Sequence, residues 1–324
     1  MTLRIGVDVG GTKILAVAVD DGGREVARLR RPTGWGGDAV ADGVAAVVAD
    51  LAGRAGPAGR ASTVSVGVGV PGQILPDSGV VEHALNLGIE RYDLAGALTQ
   101  RLGIPPAIDN DVRYAAVGAR ALRGGGGGSL AYLNLGTGIA AGIVDESGLR
   151  RGARGAAGEI GHVPVDPNGP LCRCGQRGCI EALAGGGAVA ERWGRQDPLP
   201  VAAVFDAADA GDVRAEELRA GLVRGVVAAV RLLVLTTDVD AVVLGGGIAA
   251  LAGRLLVPVR TALAASATAS PFLRSLHLDE RVELVPAGIP VGALGAALAA
   301  HAEPEPAGAP PIEAWQGAES PAAR

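Results

Sequence analysis

The chain has 324 residues, 48% of them hydrophobic, and a formal net charge of −5, which is enough material for two lobes with separate cores. Mild acidity and an aromatic content of 2% argue against a basic nucleic-acid groove, a base-stacking platform or an aromatic sugar cradle. The longest charge-free run, 124–144, carries eight glycines among its 21 residues together with Asn134 and Thr137, and the first apolar run contains Asp8. Neither a membrane helix nor a signal peptide is expected, and the reading is of a soluble, cytoplasmic protein.

In chain order, 3–9 and 14–20 read as strands joined by Gly10-Gly11-Thr12-Lys13, with a third strand over 25–31. A strand–turn–strand unit of this kind can offer backbone N–H groups and the Thr12 hydroxyl to phosphate oxygens, although a plain hairpin turn explains the same residues. Lys13 is the one lysine beside 28 arginines, and a compact ammonium fits beside phosphate better than a broad guanidinium. A helix is expected over 38–54 and a buried strand over 63–70. Gly67, Gly69 and Gly72 have the spacing of a dinucleotide fingerprint, but turn residues rather than a helix follow Gly72, so that reading is rejected. A helix over 93–102 and a short strand lead to Asn110 and Asp111, which start the helix expected over 112–122. One of the pair can cap that helix while its neighbour projects into a cleft.

The five glycines 124–128 read as a surface loop. A strand over 130–135, the turn Gly136-Thr137-Gly138 and a strand over 139–144 then repeat the first hairpin. Two such units suggest a duplicated, two-lobed α/β architecture with one phosphate-binding turn per lobe, the organisation of the actin/hexokinase-like (ribonuclease H-like) fold with a cleft between lobes. Helices are expected over 181–193 and 215–235, a strand over 241–244 ending at Gly245-Gly246-Gly247, and a helix starting at Ile248. No acidic residue follows that turn near the position a dinucleotide site requires. A strand over 282–285 and a helix over 291–301 complete the fold, and 303–324, with five prolines, should be disordered. The small lobe is read as 1–109 completed by the C-terminal helix 291–302, and the large lobe as 110–290.

All three cysteines lie within eight residues: His162, then Cys172, Cys174 and Cys179. Three thiolates and an imidazole with no open position suit a structural, tetrahedral Zn²⁺ site. Such a centre would fix Glu159 on one side and Glu181 on the other. Two rigid carboxylates suit a polyhydroxylated ligand, and a sugar is the natural guess.

Glu159-Ile-Gly-His162 followed by Cys-x-Cys-Gly-x-x-Gly-Cys-x-Glu closely resembles the signature of the ROK family of sugar kinases and related repressors. Asp8-Val-Gly-Gly-Thr-Lys13, Val70-Pro-Gly72, Asn110-Asp111, Leu135-Gly-Thr-Gly138 and Leu244-Gly-Gly-Gly247 stand in that family's order. The resemblance implies an ATP-dependent kinase that phosphorylates the 6-hydroxyl of a hexose, most readily glucose, with Asp111 as general base. It implies sugar contacts at Asn110, Asp111, Glu159, His162 and Glu181, and less securely at Asn86 and Gly72. Asp8 would hold Mg²⁺ through water. Gly10, Gly11, Thr12, Lys13, Gly136, Thr137 and Gly138 would cradle the ATP phosphates, and Gly246 and Gly247 would pack on adenosine. N-acetylmannosamine, glucosamine or a sugar-like cyclitol are alternative acceptors, and a homodimer or homotetramer is implied. A sugar-responsive repressor is disfavoured, since two residues before Leu3 leave no room for a helix-turn-helix. Three positions depart from the family pattern: Ala119, Ala140 and Ile89, the last beside a candidate sugar loop where tryptophan is common.

Overall fold

The computed structural model describes residues 3–54, 64–76, 78–124 and 128–300. The central part of the glycine run 124–128 and the segment 303–324 lie outside the described residues.

The first half builds β1 (Leu3–Val9), β2 (Lys13–Val19), β3 (Glu25–Pro32), α1 (Gly37–Arg54), β4 (Val64–Val70), β5 (Gln73–Ile74), β6 (Val80–Ala84), β7 (Ile89–Asp93), α2 (Leu94–Leu102), β8 (Ala107–Asn110) and α3 (Asp111–Leu122). The second half builds β9 (Leu130–Leu135), β10 (Ile139–Asp145), β11 (Gly148–Leu149), α4 (Ile180–Ala184), α5 (Gly186–Trp193), α6 (Pro200–Asp209), α7 (Val213–Thr237), β12 (Ala241–Gly245), α8 (Gly253–Ala267), α9 (Pro271–Ser275), β13 (Val282–Leu284) and α10 (Val291–Ala299).

Two five-stranded sheets carry the same topology, β3-β2-β1-β4-β8 and β11-β10-β9-β12-β13. In each, the leading hairpin is antiparallel and the next two strands are added in parallel. The apolar strands β1 and β4 are buried on both faces, as a parallel centre covered by helices requires. A separate hydrophobic cluster lies with each sheet.

The last helix of each half crosses to the other half. Helix α3, which follows the first sheet, packs on β9 and β10, whereas α10, which follows the second sheet, packs on β1 and β4. Glycines make the crossing possible. A Cβ on Gly67 would strike the Ala296 carbonyl of α10, and Gly118 and Gly295 let α3 and α10 touch backbone to backbone. A chain with 52 glycines and few aromatics thus gains its density from close backbone approach.

Two expectations need correction, and two features were not foreseen. The helix expected over 181–193 is two helices, because Gly185 is extended (φ −65°, ψ 134°). The helix expected from Ile248 is a 3-10 turn, Gly247–Leu251, and α8 starts only after Ala252, whose φ of 50° breaks the helical path. Helix α6 and the three-stranded sheet β5-β6-β7 were not expected. The sheet's strands are two to five residues long, too short for alternation to register.

Candidate functional site

Strands β1, β4 and β8 run parallel, so their C-terminal ends open on the same edge of the first sheet, where ligands of α/β sheets bind. Asp8 sits at the end of β1. The turn that follows closes with Gly10 N–H donating to the Lys13 carbonyl at 2.9 Å, leaving Gly11, Thr12 and Lys13 exposed. Gly72 follows β4 at φ +100°, and a Cβ there would lie 2.6 Å from the Glu82 carbonyl. Its own carbonyl accepts from Asn110 Nδ2 at 3.1 Å. Asn110 caps α3, its Oδ1 accepting from Val112 N at 3.0 Å and Arg113 N at 3.3 Å. Asp111 is the first helical residue, so of the pair Asn110 caps while Asp111 is left at the helix N-terminus. Asn86 is exposed in a 3-10 turn with its side chain against Gly11, bringing a sugar-side candidate next to the turn 10–13, the expected phosphate cradle.

The second sheet supplies the other turn. Gly136 N–H donates to the Gly138 carbonyl at 3.1 Å. The break at Gly185 now has a reason: Gly186 and Gly187 N–H groups donate to the Gly136 and Thr137 carbonyls at 2.8 and 3.0 Å. Glu181 accepts from Ile139 N–H at 2.9 Å, so one oxygen of this expected sugar ligand is engaged at the start of β10 and the other is left. Gly246 (φ +84°) and Gly247 are exposed at the end of β12.

His162 Nδ1 lies 3.9 Å from Cys172 Sγ, and Cys174 Sγ lies 3.7 Å from Cys179 Sγ. A tetrahedral zinc with Zn–S bonds of about 2.3 Å has S···S edges of about 3.8 Å, so the sulfur pair is at coordination spacing. The ligand atoms of His162, Cys172 and Cys174 lie within 4.8 Å of one another. Burial pushes the Cys179 thiol up to about 12, whereas hydrogen bonds from Gln176 hold Cys174 at about 6. Cys179 falls outside that group of three and approaches through Cys174, but three thiols and an imidazole are donors that suit Zn²⁺, and binding it would release protons.

The carboxylates gather at the centre. Burial raises Asp111 to about 6, opposed by the N–H groups of Val112 and of its own backbone and reinforced by the charge of Glu159. Burial also raises Asp8 to about 7, with Asp111 adding to the rise and Lys13 opposing it. Asp8 and Asp111 are both half-buried as residues. Asp8, Lys13, Asp111 and Glu159 thus share one electrostatic neighbourhood between the two sheets.

Sequence reasoning missed the scaffold under this centre. Asp109 is buried and accepts from Arg113 Nη1 at 2.9 Å, Arg151 Nε at 2.6 Å and Asn110 N–H at 2.7 Å. Arg113 also donates to the Gly155 carbonyl, and Gln73 donates to that of Arg154 at 2.9 Å. The strand that ends in Asn110 and the segment that leads to Glu159 are therefore tied together. Tyr132, buried beneath Gly245, is pushed well above its ordinary range by burial and then by the charges of Asp8 and Asp111. The i,i+4 pair Asp109 and Arg113, straddling a strand end and a helix start, was the available signal.

Of the departures from the family pattern, Ile89 is buried in the core of the first sheet, so its side chain forms no wall of a sugar site. Ala119 is buried and Ala140 half-buried, both in the cluster between α3 and the second sheet.

The ROK family model matches residues 4–303. This chain belongs to the ROK family. It is 31% identical over 278 residues to a glucokinase of Halalkalibacterium halodurans, covering 79% of this chain and 83% of that one. It is also 31% identical over 304 residues to an N-acetylmannosamine kinase of Escherichia coli, covering 92% and 98%. The crystal structure of a ROK family glucokinase from Streptomyces griseus in complex with glucose and AMPPNP superposes with a TM-score of 0.74, at 29% identity over 92% of this chain and 98% of that one. The architecture is accordingly the actin/hexokinase-like fold. No helix among the described residues is long and apolar enough to cross a membrane.

Proposed function

We propose that this ROK protein is an ATP-dependent sugar kinase acting on the 6-hydroxyl of a hexose, with glucose the leading acceptor and Asp111 the general base. One observation carries the reading: Asp111 stands at a helix N-terminus on the sheet edge that also carries Asp8 and Gly72, near Glu159, with a proton affinity raised to about 6. A carboxylate of that basicity, ionised at neutral pH, can take the hydroxyl proton as the oxygen attacks. Asn110, Glu159, His162 and Glu181 orient the sugar hydroxyls, with Asn86 and Gly72 beside them. Gly10, Gly11, Thr12, Lys13, Gly136, Thr137 and Gly138 hold the phosphates. Gly246 and Gly247 meet the adenosine, and Asp8 would hold Mg²⁺. Bound Mg²⁺–ATP supplies the phosphoryl group; alignment and charge neutralisation are this chain's contribution. Residues 1–109 with α10 form the small lobe and 110–290 the large lobe that close on the two substrates. A donor of this kind and three cysteines that form no disulfide suit the cytoplasm. N-acetylmannosamine is the second acceptor to consider, because the relative acting under that name aligns over 98% of its own length.

The test is ADP release with ATP and Mg²⁺ across a panel of hexoses, amino sugars and cyclitols. Glucose is expected to dominate. Absence of turnover with every acceptor, from folded protein, would overturn the kinase reading.

His162, Cys172, Cys174 and Cys179 are proposed to bind one structural Zn²⁺. Metal analysis should then find about one zinc per chain, lost in Cys179→Ser. Structural zinc sites supply about 10–16 kcal/mol of apparent binding energy in peptides, so chelation should lower Tm. It should also raise the sugar KM more than the ATP KM, because His162 is itself a ligand and Glu159 lies three residues before it, while the turn 10–13 is remote in sequence from the metal segment. Full activity and an unchanged Tm in metal-free protein would remove the assignment.

A further inference from the structure

The segment 33–36 between β3 and α1 lies at the same sheet edge as the first phosphate turn and is fastened on both sides. Thr33 Oγ1 donates to the Gly10 carbonyl at 2.7 Å, and Gly36 N–H donates to the Leu87 carbonyl at 2.8 Å. Between these two anchors stands Trp35, 72% exposed. Its indole lies over Gly88. A Cβ there would be 2.5 Å from Cε2, 2.6 Å from Nε1 and 3.0 Å from Cδ2, similar distances that describe a ring lying face-on over the glycine. The opposite face is open. Gly88 ends the 3-10 turn 85–87 whose middle residue, Asn86, rests on Gly11 of the phosphate turn. Leu85, on the other side of Asn86, is 71% exposed. A polar Asn86 next to the phosphate turn is thus flanked by an apolar wall on a rigid loop. Among the described residues the only other tryptophan, Trp193, is buried.

We propose that Trp35 is an acceptor-specificity residue, its open indole face packing on the C–H face of the hexose whose hydroxyls meet Asn86. Small-molecule sites combine a few placed polar groups with aromatic or apolar walls, and a pyranose offers both surfaces, hydroxyls at its rim and C–H bonds across its face. The low aromatic content argued against an aromatic sugar cradle, but one fastened tryptophan at the right edge supplies the wall without changing composition. The favoured ligands are hexoses with an unbroken C–H face, so this inference rests on the sugar-kinase reading and narrows it.

The test compares wild type, Trp35→Phe and Trp35→Ala in steady-state kinetics with glucose and ATP varied separately. A stacked aromatic contact of this kind is worth up to about tenfold in affinity. Trp35→Ala is therefore expected to raise the glucose KM about five- to tenfold, with kcat and the ATP KM unchanged and Tm near wild type. Trp35→Phe should recover most of the loss. Glucose added without ATP should change the tryptophan emission of wild type, and that change should vanish in Trp35→Phe. An unchanged glucose KM in Trp35→Ala, or a shift in the ATP KM instead, would overturn the assignment. If wild type turned over no sugar, the kinase reading would fall. The emission titration would still decide Trp35, persistence of the signal in Trp35→Phe counting against it.

Discussion

Asp111→Asn is expected to lower kcat by about 10²–10⁴-fold while leaving the fold intact. The substitution keeps the shape and the position at the start of α3, where Asn110 continues to cap, and removes only the proton acceptor. In wild type the rate should climb with pH and level off above about 6, the value to which burial lifts Asp111. Asn should abolish that limb. Stability should move the other way. A carboxyl whose folded pKa is raised from 3.8 to about 6 stabilises the fold fully below 3.8 and loses that contribution as pH rises to about 6. At pH 7 the ionised Asp111 is therefore a burden, increased by its repulsion with Asp8. Asp111→Asn should melt at or above the wild-type temperature at pH 7, and the gap should close in acid. Loss of rate with a gain in stability marks a residue kept for chemistry. Retention of wild-type turnover within tenfold would place the base elsewhere.

The duplicated hairpins were legible because each has its own local cause. A Gly/Thr turn between two apolar runs cannot be much else, and the structure places both turns in equivalent positions of equivalent sheets. Gly67, Gly69 and Gly72 show the opposite case. Their spacing imitates a nucleotide fingerprint, yet Gly67 makes room for α10, Gly69 abuts the backbone of Asp111, and Gly72 takes a positive φ beside Glu82. Rejecting the fingerprint needed only the missing helix, and the three unrelated reasons were visible only in the fold. The segment 181–193 misled because the helix-forming residues on either side of the three glycines 185–187 read as one run, although each glycine costs a helix about 1 kcal/mol. What breaks it is tertiary: the N–H groups of Gly186 and Gly187 donate to the carbonyls of the turn 136–138 in a different element.

The candidate site divides in the same way. Asp111, Glu159 and the cysteines carry their chemistry in their identity and spacing. Trp35 and Asp109 carry theirs in what they lie against. Trp35 is one aromatic between glycines, and only its seat over Gly88 gives it meaning. Asp109 reads as another surface charge in a chain with 34 acidic residues, and only its burial shows otherwise.

Asp109→Ala should cost about 3–5 kcal/mol, because it strands the Arg113 guanidinium, a side chain 4% exposed, without its partner. That is a large part of a typical total stability of about 5–15 kcal/mol, and a Tm loss of about 10 °C or more is expected. If the variant does not fold, Arg151→Ala separates stability from positioning. Arg151 is 53% exposed, so its removal leaves no buried charge unpaired while Arg113 still neutralises Asp109. Tm should stay within a few degrees, but the segment 151–159 loses one of its ties to the strand that ends in Asn110. Glu159 would then be held less well against Asp111, and the sugar KM should rise several-fold with the ATP KM unchanged. Replacing both buried partners, Asp109→Leu with Arg113→Met, sharpens the contrast. Buried ion pairs exchanged whole for apolar side chains are often neutral or stabilising, so Tm should recover. Sugar affinity should not, because neither Arg151 nor the Gly155 carbonyl keeps its partner. Recovery of both would reduce the network to packing. Recovery of Tm alone would show that this chain spends a buried carboxylate on holding its acceptor loop to its base.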